Sequence, residues 1–163
     1  MKAILIIDHG SVKAEANAML ECMAQMLQQM TGDEVIVEAA HMELAGPDIP
    51  AGFARCVERG ATEVVAFPYM LSPGRHSTHD IPKLVAEAAT AFPHVTHRMT
   101  GAFGMHHKLA ELILERAEVD VVRDMSDADS FACWNSEGVA TTCGAACPAG
   151  AASCHDRRLQ GTT

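Results

Sequence analysis

Residues 2–11 read KAILIIDHGS and set the pattern that the rest of the chain follows. The apolar run from Ala3 to Ile7 is continuous and rich in β-branched side chains, which is typical of a strand buried on both faces of a parallel sheet. Asp8 ends the run, and the polar segment His9-Gly10-Ser11 follows it. We therefore predict a central strand over residues 2–8 that carries polar side chains at its carboxyl end.

A strand followed by a helix recurs four times along the chain. The predicted strands are residues 2–8, 34–41, 62–70 and 94–100, and the predicted helices are residues 15–31, 47–59, 79–91 and 105–118. This alternation predicts an α/β fold, a parallel sheet with helices on both faces. The first and third strands are the most uniformly apolar, so we place them in the centre. The predicted strand order is 2-1-3-4, a flavodoxin-like four-stranded sheet.

Length and composition limit the classes of protein that the chain can belong to. Its 163 residues suffice for one ordinary domain, which we predict over residues 1–122, followed by a Cys-rich tail over residues 123–163. The formal charge of −9 argues against nucleic-acid binding, which needs a basic face. The longest early apolar run is too short for a signal peptide or a membrane span, so we expect a cytoplasmic protein without membrane partners.

Several apolar side chains are predicted to lie in the core. Met19, Met23, Met26 and Met30 recur at spacings of four, three and four in the first predicted helix. We favour core packing of this stripe over a soft-metal site. Core positions are also predicted for Cys22, Cys56, Leu109, Leu112 and Ile113.

Polar residues follow each predicted strand at its carboxyl end. They are His9 and Ser11 after the first strand, His41 and Glu43 after the second, Arg75, His76 and His79 after the third, and His106 and His107 after the fourth. Right-handed crossovers bring these ends to one edge of the sheet, where ligands of open α/β sheets bind. His9, Glu43 and His76 are separated by 34 and then 33 residues, one βα unit each, so they can converge. Two imidazoles and one carboxylate suit a divalent first-row metal with coordination positions left open.

Other chemical motifs are missing from the sequence. Neither GxGxxG nor GxxxxGK[ST] occurs, so the usual dinucleotide and P-loop phosphate sites are excluded. HExxH is absent too, and Ser11 has no evident Asp partner for a catalytic triad. The set at positions 9, 43 and 76 is therefore the leading candidate for chemistry.

Three stretches carry a resemblance to a known family. They are ILIIDHGS at residues 4–11, HMELAGPDIPAGFARCVERGATEVVAFPYMLSPGRHSTHDIP at residues 41–82, and GMHHKLAELILER at residues 104–116. Over about residues 1–118 the chain resembles the small, single-domain CbiX/SirB-type sirohydrochlorin chelatases. The resemblance implies a homodimeric class II chelatase, an enzyme that inserts a divalent metal into the tetrapyrrole sirohydrochlorin.

The resemblance also implies roles for individual residues. His9 and His76 are implied to bind the metal, with Glu43 as a third ligand or a proton acceptor. Ser11, Gly74 and Arg75 are predicted to bind the substrate. Arg75 is the best candidate for the peripheral carboxylates because it belongs to the matched GRH motif; Lys13 and Lys108 are weaker candidates.

The metal and the class of function stay open at this point. We predict Co²⁺ insertion toward cobalamin, with Fe²⁺ for sirohaem or Ni²⁺ as alternatives, because imidazole and carboxylate ligands accept all three. A metal carrier that does not catalyse insertion is the alternative of another class.

The tail carries four cysteines, Cys133, Cys143, Cys147 and Cys154. Their intervals of ten, four and seven lack the CxxC pair of a zinc ribbon. Four thiols in this segment can hold an iron–sulfur cluster, and a redox module built on such a cluster is a third hypothesis. Loosely structured or metal-scavenging thiols are an equal alternative.

Overall fold

The computed structural model describes residues 1–104, 106–121, 131–134 and 140–143. Its parallel strands are β1 (Lys2–Asp8), β2 (Val35–His41), β3 (Glu63–Pro68) and β4 (Thr96–Met99). The helices are α1 (Ala14–Thr31), α2 (Ile49–Glu58), α3 (Ile81–Ala89) and α4 (His107–Arg116). The strand order is β2-β1-β3-β4, which confirms the predicted order 2-1-3-4.

The side chains of β1 divide between the two faces of the sheet. Leu5 lies in a buried cluster with Phe53 of α2 and Val85 of α3. Ile6, which points the other way, lies in a second cluster with Leu20 of α1. Because successive side chains of a strand alternate between faces, the continuous apolar run of β1 fills both cores. The prediction of helices on both faces of a parallel sheet is confirmed.

The methionine stripe of α1 does not pack in the core, so that prediction is wrong. Three of its members are largely exposed, namely Met19, Met26 and Met30. The face of α1 that meets the sheet carries the buried Leu20 and Ala24 instead, with the half-buried Met23 beside them. Apolar residues lie on more than one side of this helix, and the smaller branched and methyl side chains occupy the side against the sheet.

Three further predictions of burial are also wrong. The exposed side chains are Cys22, Leu112 and Ile113. Leu109 is half-buried, whereas Cys56 is fully buried as predicted. An apolar position on a helix is buried only where another element covers that face, and periodicity alone does not supply the covering element.

The segment after β3 differs from the predicted loop. Residues 76–80 form a π-helical turn, in which the Ile81 N–H donates to the His76 carbonyl, and the turn runs directly into α3. Pro82 lies in the first turn of α3, where its missing N–H costs nothing. His76 and Asp80 are therefore brought together on one side of this turn, at 2.9 Å.

The outer edge of β2 is closed by side chains. The Gln28 amide donates to the Val35 carbonyl and accepts from the Val37 N–H, as a neighbouring strand would, at 2.9 Å each. Arg59 donates to the Val37 carbonyl at 3.0 Å and to Glu38 at 2.7 Å. Unpaired edge groups invite pairing with another chain, so these contacts protect the edge.

The chain divides into two compact units. The first comprises residues 1–70 and 74–101 and holds the sheet with α1 to α3. The second comprises residues 71–73 and those from 102 onward, with α4 and two antiparallel strands, β5 (Phe131–Trp134) and β6 (Ala140–Cys143). The sequence predicts α4 but neither of these two strands, because four-residue runs are too short to show a period. The predicted boundary near residue 122 stays a prediction.

No helix within the described ranges combines the length and the apolar character that crossing a bilayer requires.

Candidate functional site

The loops after β1 and β2 run side by side beyond the ends of the strands. The Met42 N–H donates to the Asp8 carbonyl at 2.9 Å, and the Glu43 N–H donates to the His9 carbonyl at 3.1 Å. Gly10 has a φ of +84°, and a Cβ placed on it would lie 1.9 Å from the Glu43 carbonyl oxygen. Only glycine fits this position. The close approach places the backbones of His9 and Glu43 next to each other at the carboxyl edge of the sheet.

His76 joins this pair from the turn after β3. The His9 Nε2 lies 2.8 Å from the Glu43 Oε1. The His9 and His76 rings meet edge to face with their centroids 5.2 Å apart. The three side chains are 44%, 53% and 49% exposed in the order His9, Glu43, His76, so a large flat molecule can reach them.

The donor atoms of the His9–Glu43 pair have a spacing that one cation can use. Two ligands about 2.1 Å from a metal, and at right angles, are about 3 Å apart. Among the described residues, no group of three or more His, Cys, Asp or Glu side chains is arranged to hold a metal ion. A cation shared by all three residues therefore requires their side chains to move closer together.

Asp80 gathers three groups that can carry positive charge. Its Oδ2 lies 2.9 Å from the His76 Nδ1, and its Oδ1 lies 3.3 Å from the His79 Nδ1 and 3.8 Å from the Arg75 Nε. Desolvation raises the pKa of the Asp80 carboxyl, but hydrogen bonds from His76 and His79 and the charge of Arg75 outweigh it, so this pKa lies below its usual value. Asp80 is ionised at neutral pH.

A second carboxylate, Asp8, lies under the loop that carries His9. The Asp8 Oδ1 accepts from the Gly10 N–H at 2.9 Å and contacts the His41 Nδ1 at 2.6 Å. His41 is fully buried, and its Nε2 has no hydrogen-bond partner among the described residues. The sequence predicts His41 at the end of β2 but predicts no hydrogen-bond partner for it.

The predicted substrate-binding residues have local roles in the fold. The Ser11 Oγ accepts from the Lys13 N–H at 3.1 Å, and the Ser11 backbone exchanges two hydrogen bonds with Asn17 at the start of α1. The Gly74 carbonyl accepts from the Thr78 N–H at 3.0 Å. The side chain of Arg75 is 84% exposed. Their binding of substrate stays a prediction.

The remaining candidates lie in the second unit. The His106 Nδ1 accepts from the Lys108 N–H at 3.2 Å and so caps α4. The His106 and His107 rings have centroids 4.4 Å apart. Of Cys133 and Cys143 only the strand positions are described, and Cys147 and Cys154 lie outside the described residues. The iron–sulfur cluster stays a prediction.

A groove of about 620 Å³ lies on the first unit. Residues of α1, β2 and α2 line it, among them Gln25, Gln28, Arg55 and Arg59. It follows the closed edge of β2 and includes none of His9, Glu43 and His76.

Burial makes the Cys56 thiol unreactive. Desolvation, together with the charge of Glu38, raises the pKa of Cys56 from 9.0 to about 12. A raised pKa in the folded state contributes stability below pH 9, which is lost as the pH rises from 9 toward 12. We therefore expect the free energy of unfolding in urea to fall across this alkaline range.

Iodoacetamide at pH 8 should alkylate the exposed Cys22 and spare the buried Cys56, as measured by peptide mass spectrometry. Equal labelling of the two thiols would contradict the buried position of Cys56.

The chain matches a known family over most of the first unit and α4. The CbiX family model covers residues 3–119. A sirohydrochlorin ferrochelatase of the Arabidopsis thaliana chloroplast is 43% identical over 77% of this chain and 56% of its own length. A sirohydrochlorin cobaltochelatase of Priestia megaterium is 32% identical over 72% of this chain and 38% of its own length.

Solved structures show the same fold. SirB from Bacillus subtilis with Fe³⁺ superposes with a TM-score of 0.66 and 26% identity, over 78% of this chain and 50% of SirB. SirB from Bacillus subtilis subspecies spizizenii in complex with cobalt gives a TM-score of 0.63 at 26% identity, over 72% of this chain and 50% of that protein. The chain thus covers between 38% and 56% of the length of these four relatives. With the family model matched over most of its length, the chain belongs to the CbiX family.

Proposed function

We propose that the chain is a sirohydrochlorin chelatase, and that His9, Glu43 and His76 bind the divalent metal that it inserts. The observation that carries the proposal is the 2.8 Å contact between the His9 Nε2 and the Glu43 Oε1, with the His76 ring beside it at the carboxyl edge of the sheet. The names of the relatives, which are sirohydrochlorin chelatases for both iron and cobalt, support the same substrate.

The chemistry of these side chains suits a metal that must be released again. Insertion replaces two pyrrole N–H protons with a divalent cation, so the metal is a substrate and must leave the protein. Imidazole and carboxylate ligands with open positions exchange more readily than a closed four-Cys site.

Proton release follows from the contact between His9 and Glu43. An ionised carboxylate can only accept a hydrogen bond, so a 2.8 Å hydrogen bond to an ionised Glu43 has its proton on the His9 Nε2. A cation bound by both groups displaces this proton. When the metal moves to the macrocycle, the freed imidazole and carboxylate become available as bases for the ring protons.

Arg75 supports the choice of an acidic tetrapyrrole. Sirohydrochlorin is rich in carboxylates, whereas the chain carries a formal charge of −9, so local cations must attract the substrate. The Arg75 guanidinium is 84% exposed and lies next to His76 in the chain. We propose that it binds a peripheral carboxylate, with Ser11 and Gly74 as further substrate-binding residues.

The proposal extends to the metal ion that is inserted in the cell. The sequence predicts Co²⁺, whereas the 43% identity to a ferrochelatase, against 32% to a cobaltochelatase, favours Fe²⁺. The proposed ligands accept both ions and Ni²⁺ as well. We therefore propose an enzyme that inserts more than one of these metals in vitro, with Co²⁺ and Fe²⁺ as the two candidates for the cell.

An anaerobic insertion assay tests the function. Purified protein is mixed with sirohydrochlorin and Co²⁺, Fe²⁺ or Ni²⁺, and the visible spectrum of the macrocycle is followed. We expect insertion of Co²⁺ and Fe²⁺ well above the rate in mixtures without protein, and the ratio of the three rates ranks the metals. Tight metal binding without acceleration would replace the enzyme with the metal carrier. The homodimer, the cytoplasmic location and the tail cluster stay predictions.

A further inference from the structure

We propose that Asp80 is a positioning residue, which holds the His76 imidazole in the tautomer whose Nε2 is free to bind metal. Its relevance to insertion rests on the proposed function. The inference itself stands on a 2.9 Å contact between the Asp80 Oδ2 and the His76 Nδ1.

The direction of this hydrogen bond fixes the tautomer. An ionised carboxylate only accepts, so the proton must lie on the His76 Nδ1. A neutral imidazole has one N–H, which leaves the lone pair on the Nε2. Histidines that bind metals commonly donate their other ring N–H to a carboxylate, which fixes the ring orientation and raises the basicity of the binding nitrogen.

The two carboxylate oxygens of Asp80 contact different residues. Oδ2 faces His76 at 2.9 Å, whereas the longer contacts to His79 and Arg75, at 3.3 and 3.8 Å, are made by Oδ1. His79 and Arg75 therefore do not compete for the oxygen that binds His76. They also favour the ionised carboxylate, which is the form that can accept from the Nδ1.

The backbone holds the pair in place. The π-helical turn sets His76 and Asp80 four residues apart on one side of the chain, and Ser77 between them is buried. The Gly74 N–H donates to the Ser77 Oγ at 3.0 Å, and the Ser77 hydroxyl donates to the Gly74 carbonyl at 3.1 Å. The start of α3 thus fixes the geometry from which Asp80 orients the ring.

The tautomer of His76 can be measured without metal or tetrapyrrole. Long-range ¹H–¹⁵N spectra of the full chain distinguish a proton on Nδ1 from one on Nε2, and His76→Gln assigns the signal. We expect the Nδ1–H form in the wild type and a shift toward the Nε2–H form, which imidazole prefers in water, in Asp80→Ala. Glu87→Ala is the matched control, because it removes one carboxylate of an exposed ion pair from α3, the helix that follows Asp80.

Binding of Co²⁺ alone provides the second measurement. Asp80→Ala should weaken Co²⁺ affinity by about 10- to 100-fold, the usual effect of losing a carboxylate behind a metal-binding histidine. Asp80→Asn keeps an oxygen that accepts from the Nδ1, so it should restore most of the affinity, and Glu87→Ala should match the wild type.

The outcomes separate this inference from the proposed function. An unchanged tautomer together with unchanged Co²⁺ affinity in Asp80→Ala would overturn the inference, even if the wild type inserts metal. A shifted tautomer and weakened Co²⁺ binding in a protein that inserts no metal would support the inference and reject the chelatase. Lost affinity that Asp80→Asn does not restore, with no tautomer change, would mean a structural role only and would also overturn it.

Discussion

His9→Ala is expected to lower the rate of metal insertion into sirohydrochlorin by about 100-fold or more while the protein stays folded. Losing even an outer partner of a metal-binding histidine costs about 10- to 100-fold, so losing the imidazole itself should cost at least as much. The side chain is 44% exposed, so its removal leaves no buried cavity. His76→Ala should behave alike, since its ring lies against that of His9. The anaerobic insertion assay measures both rates, and circular dichroism checks the fold.

Two further variants make the comparison specific. Glu43→Gln keeps the shape of the side chain but removes the charge that faces the His9 Nε2, so we expect weaker Co²⁺ binding and slower insertion together. His94→Ala is the control, because this exposed histidine precedes β4 and thus lies at the amino edge of the sheet. Wild-type rates in both His9→Ala and His76→Ala would remove the site on which the proposed function depends.

The position of the candidate site was predictable because it follows from strand order. Strands buried on both faces are recognisable from their composition alone, and their order places the residues after β1, β2 and β3 at one edge. The intervals between His9, Glu43 and His76 each equal one βα unit, so convergence needed no detail of side-chain packing. The sequence did not predict that the His9 side chain contacts Glu43 while the His76 side chain contacts Asp80. These contacts depend on the conformations of the loops.

The π-helical turn shows why a loop prediction fails here. Pro82 and the Ser-Pro-Gly segment at residues 72–74 suggest a helix that begins near residue 79. The hydrogen bonds of Ser77 and Thr78 to Gly74 instead wind the chain from residue 76 onward. The four-residue interval between His76 and Asp80 is the one sequence signal of their contact.

The contact of Asp8 with His41 is easier to predict from the sequence than that of His76 with Asp80. Each residue ends its strand, and the two are direct neighbours in the parallel register of β1 and β2. Two polar residues that end adjacent buried strands must meet, and a buried imidazole needs a partner. His41 contacts Asp8 under the loop, whereas Glu43 of the same segment contacts His9.

Asp8→Ala is expected to reduce the free energy of unfolding by about 2 to 3 kcal/mol, the upper part of the range for leaving a buried polar group without its hydrogen-bond partner. The variant leaves the Nδ1 of the fully buried His41 and the Gly10 N–H without their acceptor. Urea unfolding measures the loss. Because Asp8 anchors the turn in which Gly10 packs under Glu43, we also expect the insertion rate to fall.

Two comparisons show that the cost comes from the buried partner. Asp8→Asn keeps an oxygen that can accept from Gly10 or His41, so it should cost about 1 kcal/mol, the value of a typical hydrogen bond. Glu63→Ala removes a carboxylate from β3, where its partners Lys2 and Arg98 are exposed, and surface pairs contribute at most about 1 kcal/mol. If Asp8→Ala cost no more than Glu63→Ala, His41 would be satisfied without Asp8, and the other contacts of the loop that carries His9 would suffice to hold it.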